Sequence, residues 1–189
     1  MRIISGLNKG KKLIMPKDKT TRPLKDMAKE SIFNILLHAN YIDFHLENSE
    51  VLDLFSGIGS FGLECISRGS KFVFFLENYA PVLKILKDNI SNLKYENKSK
   101  VIDIDAFKID SKTFEEKQKF QIIFCDPPYK EKKIDLLIDN IIELNILQKN
   151  GIIIIHRKKG DLDIYPSKFK IIDRKNYGLS TFVFGKKTS

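Results

Sequence analysis

The sequence has no tryptophan, only two cysteines and no hydrophobic run of the length that a membrane helix needs. Its longest apolar runs, residues 72–76 and 152–155, fall far short of the about 18 residues of a membrane-spanning helix. Cys65 and Cys125 are far apart, and each lies in an apolar segment. Such a pair predicts neither a disulfide framework nor a zinc site, and it is typical of a reducing cytoplasm.

Proline and glycine are also scarce, with 6 and 10 residues among 189. These counts exclude collagen-like and linker-dominated architectures. An apolar fraction of 42% with 30% charged residues excludes a disordered chain. No apolar stretch follows the charges near the N-terminus, so we expect no secretory signal. The composition therefore predicts a soluble intracellular protein with room for one domain.

Positive charge is concentrated at one end of the chain. The net charge is +9, and residues 1–29 hold nine of the 33 basic and two of the 24 acidic residues, which makes this stretch +7 and the other 160 residues +2. A uniformly lysine-rich surface would not be distributed in this way. We interpret residues 1–23 as a basic arm on a main domain of residues 24–189. Such an arm predicts a polyanionic partner.

Short apolar runs alternate with amphipathic helical patterns through most of the sequence. The alternation is typical of a parallel sheet covered on both faces, and it predicts a Rossmann-like, doubly wound α/β fold. Ligands of such a fold bind beyond the carboxyl ends of the strands, where the strand order reverses. The predicted core strands are residues 51–55, 72–76, 101–104, 120–125 and 152–155, and the predicted helices are residues 24–39, 61–68, 80–93 and 134–142.

The two ends of the chain have different patterns. Residues 2–5 and 11–15 predict a short β-hairpin in the arm. Residues 169–173 and 181–184 flank an Asn-Tyr-Gly turn and predict an antiparallel C-terminal hairpin. The apolar face of the first helix is predicted to include Leu24, Met27, Ala28, Ile32 and Leu36.

A glycine-rich turn follows the first core strand. Gly57, Gly59 and Gly62 fit the pattern G-x-G-x-x-G between a strand and a helix, and Glu77 ends the next strand 20 residues after Gly57. Glycines let the chain turn sharply and bring its N–H groups close to a ligand, and an acid at the end of the next strand can accept both hydroxyls of a ribose. The combination predicts a nucleoside cofactor.

Asp53 discriminates between the possible cofactors. It precedes the glycine turn, where a dinucleotide would place its pyrophosphate, and a carboxylate there would repel phosphate. S-adenosylmethionine has no phosphate, and a carboxylate attracts its ammonium and sulfonium groups. We therefore expect S-adenosylmethionine and not NAD. A third acid, Asp105, is followed by Ala106 at the end of the third core strand; it can accept the adenine amino group or, alternatively, cap the loop.

The fourth core strand leads directly into Asp126-Pro127-Pro128-Tyr129. Two prolines make a rigid turn that offers hydrogen-bond acceptors only. An amine on an aromatic ring is a poor nucleophile until its two N–H bonds are held, and the Asp126 carboxylate and the Pro127 carbonyl can hold both. Tyr129 can stack on a flipped base, which is worth roughly 1–3 kcal/mol. The turn predicts methyl transfer to an aromatic amine.

His156 ends the strand at residues 152–155, on the same side of the sheet as this turn. Contact with the substrate is one interpretation of His156, and an ordinary histidine at a strand end is the other. The spacing of the remaining histidines and acids predicts no metal site.

The glycine turn and the Asp-Pro-Pro-Tyr turn resemble the paired motifs of class I amino-methyltransferases. From end to end, the chain resembles more specifically the RsmD-type 16S rRNA guanine-N2 methyltransferases. The Asp-Pro-Pro-Tyr motif alone is shared with adenine-N6 enzymes, whereas the N-terminal motifs are more specific. The further matching motifs are Arg2-Ile3-Ile4-Ser5-Gly6, Lys9-Gly10-Lys11-Lys12-Leu13, Arg22-Pro23, Phe33-Asn34-Ile35-Leu36, Gly62-Leu63-Glu64, Ser67-Arg68-Gly69 and Tyr177-Gly178.

This resemblance implies a seven-stranded sheet and methylation of the exocyclic 2-amino group of one guanine in small-subunit rRNA during ribosome assembly. It implies a cytoplasmic monomer that uses S-adenosyl-L-methionine, releases S-adenosyl-L-homocysteine, needs no metal and acts on 16S rRNA or a partly assembled small subunit. The implied cofactor residues are Asp53, Phe55, Gly57, Gly59, Glu77, Asn78, Asp105 and Ala106, and the implied catalytic residues are Asp126, Pro127, Pro128 and Tyr129. With the charge pattern, it assigns RNA binding to Arg2, Lys9, Lys11, Lys12 and Arg22.

Leu24 and Ala28-Lys29-Glu30 depart from the family pattern, which more usually has Thr at the first position and more Arg at the second. Two alternatives remain open at this point. One is an adenine-N6 methyltransferase that acts on DNA or RNA, although the chain shows no separate target-recognition domain. The other is a non-catalytic RNA-binding relic of the fold, although the acids at positions 53, 77 and 126 are intact.

Overall fold

The computed structural model describes residues 1–16 and 26–188. Within these residues the α-helices are α1 (Asp26–His38), α2 (Ser60–Ser67), α3 (Ala80–Leu93) and α4 (Ile134–Glu143), with 3-10 helices at Glu96–Lys98 and Ala106–Lys108. The strands are β1 (Glu50–Leu54), β2 (Phe72–Leu76), β3 (Ser99–Ile102), β4 (Phe120–Cys125), β5 (Leu147–Lys158), β6 (Phe169–Tyr177) and β7 (Ser180–Lys187). They form one seven-stranded sheet in the order β3-β2-β1-β4-β5-β7-β6.

Five strands of this sheet, β3-β2-β1-β4-β5, pair in parallel, and β7 pairs antiparallel with both β5 and β6. The chain builds from β1 to β2 and β3 on one side and then to β4 and β5 on the other. The strand order therefore reverses between β1 and β4, where Leu54 and Cys125 are register partners. The predicted doubly wound sheet with a C-terminal antiparallel hairpin is confirmed, and the carboxyl ends of β1 and β4 lie side by side.

Both faces of the central sheet are covered, which explains the near-continuous apolar sequence of its strands. In β5, Ile152 and Ile154 pack in one buried cluster, and the alternating Ile153 packs in the other. Cys65 belongs to the first cluster and Cys125 to the second, and both thiols are free and buried. The two cysteines thus lie on opposite faces of the sheet.

The N-terminal segment packs on helix α2. Its two predicted strands are reduced to a single antiparallel bridge between Arg2 and Lys12. Backbone hydrogen bonds join the two segments from the Ile3 N–H to Lys11 and from the Leu13 N–H to Met1, at 2.9 and 3.1 Å. The N–H groups of Ile4 and Ser5 donate to the Glu64 carboxylate, at 2.8 and 2.9 Å. The predicted hairpin is therefore present, with a shorter pairing than residues 2–5 and 11–15 would allow.

Helix α1 buries most of the predicted face, including Ala28, Ile32 and Leu36, but not Met27. Met27 is 79% exposed, whereas Lys29 is fully buried. The Lys29 Nζ donates to the carbonyl of Arg2 at 2.8 Å and pairs with Glu64 Oε2 at 3.2 Å. Apolar spacing placed Met27 inside because it takes no account of a buried charge whose partner lies on another helix. Leu24, predicted on the same face, lies outside the described residues.

The other predicted elements are all present, but β3 begins and ends two residues earlier than predicted, and β6 and β7 are longer than predicted. Strands β2 and β4 and helix α3 begin and end as predicted. Strand β5 is longer than the predicted residues 152–155, because it pairs with β7 as far as Lys158 and, after an irregularity in register, with Phe120 at Leu147. No helix in the described part of the chain is both long and apolar enough to span a membrane.

Candidate active site

The turn after β1 forms a tight loop at the point where the strand order reverses. Phe55, Gly57 and Gly59 have positive φ angles of 57°, 54° and 83°. A Cβ on Gly59 would lie 2.5 Å from Leu86 Cδ1 on α3, so only glycine combines this conformation with this close approach. The loop is therefore held against the α3 layer.

Glu77 is joined to this loop by hydrogen bonds from the backbone. The Gly57 N–H donates to Glu77 Oε2 at 2.8 Å, and the N–H groups of Asn78 and Tyr79 donate to Oε1 at 2.9 and 2.8 Å. A Cβ on Gly57 would meet no atom within 4 Å. The space over Gly57 is thus open, and the carboxylate of Glu77 is fixed at its side.

Asp53 lies beneath the loop and is 1% exposed. Its Oδ2 accepts a hydrogen bond from the Gly62 N–H at 3.0 Å, in the first turn of α2. Burial raises the pKa of Asp53 well above its usual value; the Gly62 hydrogen bond opposes this, and the charges of Asp126 and Glu77 add to it. A carboxylate in these surroundings is stabilised by any cation that comes near.

Asp105 and Ala106 follow β3. The Oδ1 of Asp105 accepts a hydrogen bond from the Phe107 N–H at 3.0 Å, so this carboxylate caps the short 3-10 helix. Ala106 is buried, and the Phe107 ring lies 5.6 Å from the Phe55 ring. Capping occupies one oxygen of Asp105. Its role towards adenine stays a prediction.

The Asp126-Pro127-Pro128-Tyr129 turn begins where β4 ends, directly beside the loop. The N–H of Asp126 donates to the carbonyl of Leu54 at 3.3 Å. The side chain of Asp126 is about one-quarter exposed, Pro127 is buried, and Pro128 is exposed. The rigid turn and the glycine loop therefore start from two residues, Asp126 and Leu54, whose backbones are hydrogen-bonded to each other.

His156 lies behind Asp126 and is 6% exposed. Its Nδ1 lies 2.7 Å from Asp126 Oδ1, and its Nε2 lies 2.8 Å from Ser180 Oγ and 3.4 Å from the Tyr129 hydroxyl. Its ring stacks on Phe182, with the ring centres 4.5 Å apart. The structure thus places His156 against the catalytic candidate Asp126.

Arg157 is a buried residue that sequence reasoning missed. Its guanidinium donates to the carbonyls of Pro128 and Glu131, at 3.4 and 2.8 Å, and to both oxygens of Asp163, at 2.8 and 3.1 Å. It therefore ties the end of the Asp-Pro-Pro-Tyr turn to the segment after β5. The signal in the sequence was a lone arginine after four isoleucines, with acids at positions 161 and 163.

The basic residues of the arm that the structure describes lie at the surface. Arg2, Lys9, Lys11 and Lys12 are all exposed to solvent. Arg22, the fifth residue assigned to RNA binding, lies outside the described residues. RNA binding by this set stays a prediction.

Four acids thus lie at the carboxyl ends of neighbouring parallel strands. They are Asp53 near the end of β1, Glu77 after β2, Asp105 after β3 and Asp126 after β4. The Gly57 N–H donates to Glu77 and the Asp126 N–H donates to Leu54, the residue after Asp53, so three of these acids are attached to the same loop. Within residues 1–16 and 26–188, no three His, Cys, Asp or Glu side chains cluster as metal ligands. The edge combines an open backbone cradle with carboxylates, which suits a cationic nucleoside better than a phosphate.

The sequence profile of a family described as conserved hypothetical protein 95 matches residues 1–186. A Haemophilus influenzae relative named ribosomal RNA small subunit methyltransferase D is 32% identical over 183 residues, which cover 96% of this chain and 91% of that one. The Escherichia coli protein of the same name is 32% identical over 144 residues, 74% of this chain and 68% of that one. The similarity extends over most of both relatives.

Solved structures agree with the sequence comparisons. The Escherichia coli protein yhhF superposes with a TM-score of 0.82 at 24% identity, covering 99% of this chain and 97% of that one. A Haemophilus influenzae structure has a TM-score of 0.77 at 31% identity, covering 100% and 98%. The resemblance in the motifs is confirmed, and the chain belongs to the RsmD-type methyltransferase family, whose profile spans nearly its whole length.

Proposed function

We propose that this protein transfers a methyl group from S-adenosylmethionine to the 2-amino group of a guanine in small-subunit rRNA. The observation that supports this most directly is the hydrogen bond from the Asp126 N–H to the Leu54 carbonyl. It joins the first residue of the amine-binding turn to the strand end that leads into the glycine loop. A methyl donor over the loop and an amine at the turn would be neighbours.

S-adenosylmethionine fits the residues of the loop. The open space over Gly57 admits a ligand to the backbone, and the Glu77 carboxylate beside it retains acceptor capacity for ribose hydroxyls. Asp53, Phe55, Gly59, Asn78, Asp105 and Ala106 would complete the site. When bound, the cofactor supplies an electrophilic methyl group on a sulfonium. The buried carboxylate of Asp53 favours such a cation.

The Asp-Pro-Pro-Tyr turn would hold the target amine. Asp126 and the carbonyl of Pro127 accept its two N–H bonds, which directs the nitrogen lone pair away from both acceptors. Pro128 keeps the turn rigid, and the ring of Tyr129 stacks on the extruded base. Asp126 then takes the proton that the nitrogen releases on gaining a methyl group.

The names of the relatives support RNA as the substrate class, and the charge of the arm is in keeping with this. Lys9, Lys11, Lys12 and Arg2 would contact phosphates of 16S rRNA in a partly assembled subunit, with Arg22 as a fifth contact. We propose that the protein acts as a monomer in the cytoplasm and uses no metal.

The test supplies the protein with a labelled methyl donor and small-subunit particles that lack the modification. The expected product is N2-methylguanosine in the small-subunit rRNA. N6-methyladenosine would instead support the adenine-specific alternative, and no transfer would support the non-catalytic relic.

Two variants separate the turn from the loop in the same assay. Asp126→Ala should lose most of the turnover with little change in cofactor affinity, because its bonds are to the amine. Gly57→Val should lose cofactor binding in calorimetry, because its side chain occupies the open space. Tight binding of NAD to the unmodified protein would contradict the assignment of the cofactor.

A further inference from the structure

His156 makes contacts that the proposed reaction does not yet use. It is the only buried histidine among the described residues, and both ring nitrogens have polar neighbours. The neighbour of Nδ1 is the oxygen of Asp126, the residue that would hold the amine. The ring itself is stacked on Phe182, at 13° between the ring planes.

The hydrogen bonds determine which nitrogen carries the proton. An ionised carboxylate only accepts hydrogen bonds, so the 2.7 Å contact with Asp126 requires a hydrogen on Nδ1. The Nε2 faces the Ser180 hydroxyl at 2.8 Å, and this hydroxyl can donate to it or accept from it. Strand β7 thus holds the plane of the ring through Phe182 and places a hydroxyl beside Nε2 through Ser180.

We propose that His156 is a positioning residue for methyl transfer: its Nδ1–H holds Oδ1 of Asp126, so that Oδ2 remains for the substrate amine. The proposal rests on the proposed function, since it gives the Asp126 carboxylate the role of amine acceptor. His156 does not contact the reacting atoms in this scheme.

Fixing one oxygen has a chemical consequence for the other. The carboxylate of Asp126 can rotate about its last bond, and a rotated group would no longer direct the amine lone pair. The bond from His156 opposes this rotation while leaving Oδ2 with full acceptor capacity. The nitrogen that gains a methyl group gives up one proton, and Oδ2 receives it; His156 neither gains nor loses a proton.

Three substitutions at position 156 test this role. His156→Asn keeps an N–H donor near the position of Nδ1, whereas His156→Gln places its amide nearer the position of Nε2, and His156→Leu has no donor. We expect single-turnover rates about 10- to 100-fold lower for Leu and Gln, the loss expected for one hydrogen bond to a charged group. His156→Asn should recover most of the rate.

A purely structural role of His156 would change the cofactor affinity or the KM for rRNA particles as well as the rate. Under our proposal the affinity for S-adenosylmethionine and the KM for rRNA particles stay within about twofold of the unmodified values, because only the chemical step is affected. His45→Leu is the matched control, since His45 is exposed and precedes β1, away from the carboxyl ends of the strands where the candidate site lies. If His156→Leu fails to fold, the comparison of Asn with Gln remains decisive.

NMR of the histidine ring supplies a readout that does not depend on activity. Nitrogen-15 shifts of the neutral ring should place the proton of His156 on Nδ1, and Asp126→Leu should change that tautomer balance. A proton on Nε2, a His156→Leu rate within twofold of the unmodified protein, or an Asn variant as slow as Gln would each overturn the proposal. An unmodified protein that methylates no guanine contradicts the proposed function instead, and the NMR result still decides the bond to Asp126.

Discussion

Lys29 Nζ and Glu64 Oε2 lie 3.2 Å apart, and both side chains are fully buried. The same carboxylate accepts the backbone N–H groups of Ile4 and Ser5 and the Arg68 Nε–H. One glutamate on α2 therefore holds α1 and the N-terminal segment at once. The basic residues of that segment are consequently attached to the same core as the candidate active site.

Removal of the Glu64 carboxylate should destabilise the whole fold. Glu64→Ala leaves the Lys29 ammonium buried without its counter-charge, and burial already lowers the pKa of Lys29. We expect the free energy of unfolding to fall by about 3–5 kcal/mol, as for other broken buried pairs. Urea denaturation at neutral pH measures this loss.

The control removes an exposed ion pair instead. Asp43→Ala breaks the contact of Asp43 with Lys186 at the surface, and its loss should not exceed about 1 kcal/mol. Equal losses for the two alanine variants would show that burial of the Lys29–Glu64 pair is not what matters.

Asp53→Asn should change how stability depends on pH. Because the pKa of Asp53 is raised in the folded state, its contribution is fully present below the unfolded pKa of about 4 and is lost as pH rises through the folded pKa. The asparagine keeps an acceptor for the Gly62 N–H without the charge. We therefore expect the variant to gain stability relative to the unmodified protein between pH 4 and pH 7.

Asp110→Asn supplies a control of opposite sign. Backbone and side-chain hydrogen bonds from Lys112 and Thr113 lower the pKa of Asp110. Its contribution is therefore present above the unfolded pKa and lost as pH falls through the folded one. Relative to the unmodified protein, this variant should lose stability as pH rises to about 4, and the difference should then stay constant up to pH 7. Urea midpoints at several pH values give both differences, and parallel curves for the two variants would contradict the buried-charge account.

Asp53→Asn should also weaken cofactor binding.

Lys9, Lys11 and Lys12 should account for part of the salt dependence of RNA binding. If each neutralises one phosphate, their combined replacement by alanine should weaken the slope of log K against log salt by about 2 for unpaired RNA. Filter binding across a salt series measures the slope. The control replaces three other lysines by alanine: Lys71, Lys117 and Lys119. They precede β2 and β4, at the amino ends of these strands. An unchanged slope in the first variant would place the RNA surface elsewhere.

The sheet could be predicted from the sequence because its strands are buried on both faces. Each central strand is a short run of apolar residues with a turn or helix on either side, and β2 and β4 therefore begin and end as predicted. The pattern also located Asp126, since a rigid Pro-Pro turn directly after such a strand must lie at the carboxyl edge. Gly57 and Glu77 were located by the same reasoning.

Buried polar side chains are the part that the sequence did not reveal. Lys29, His156 and Arg157 are all buried, and their partners lie on other elements: Glu64, Asp126, Ser180 and the loop carbonyls. A periodicity reading ranks each residue by its own polarity and therefore places such groups outside. The exposed Met27 is the counterpart of the same error.

The two buried cysteines can report local unfolding of the protein. Burial raises the pKa of both thiols, and the thiolate is the reactive form, so neither should react with a thiol reagent while the fold is closed. Cys65 reports on one helical layer and Cys125 on the other, because they lie on opposite faces of the sheet. Their relative labelling rates therefore distinguish a fold that opens as one unit from a fold that sheds one layer first.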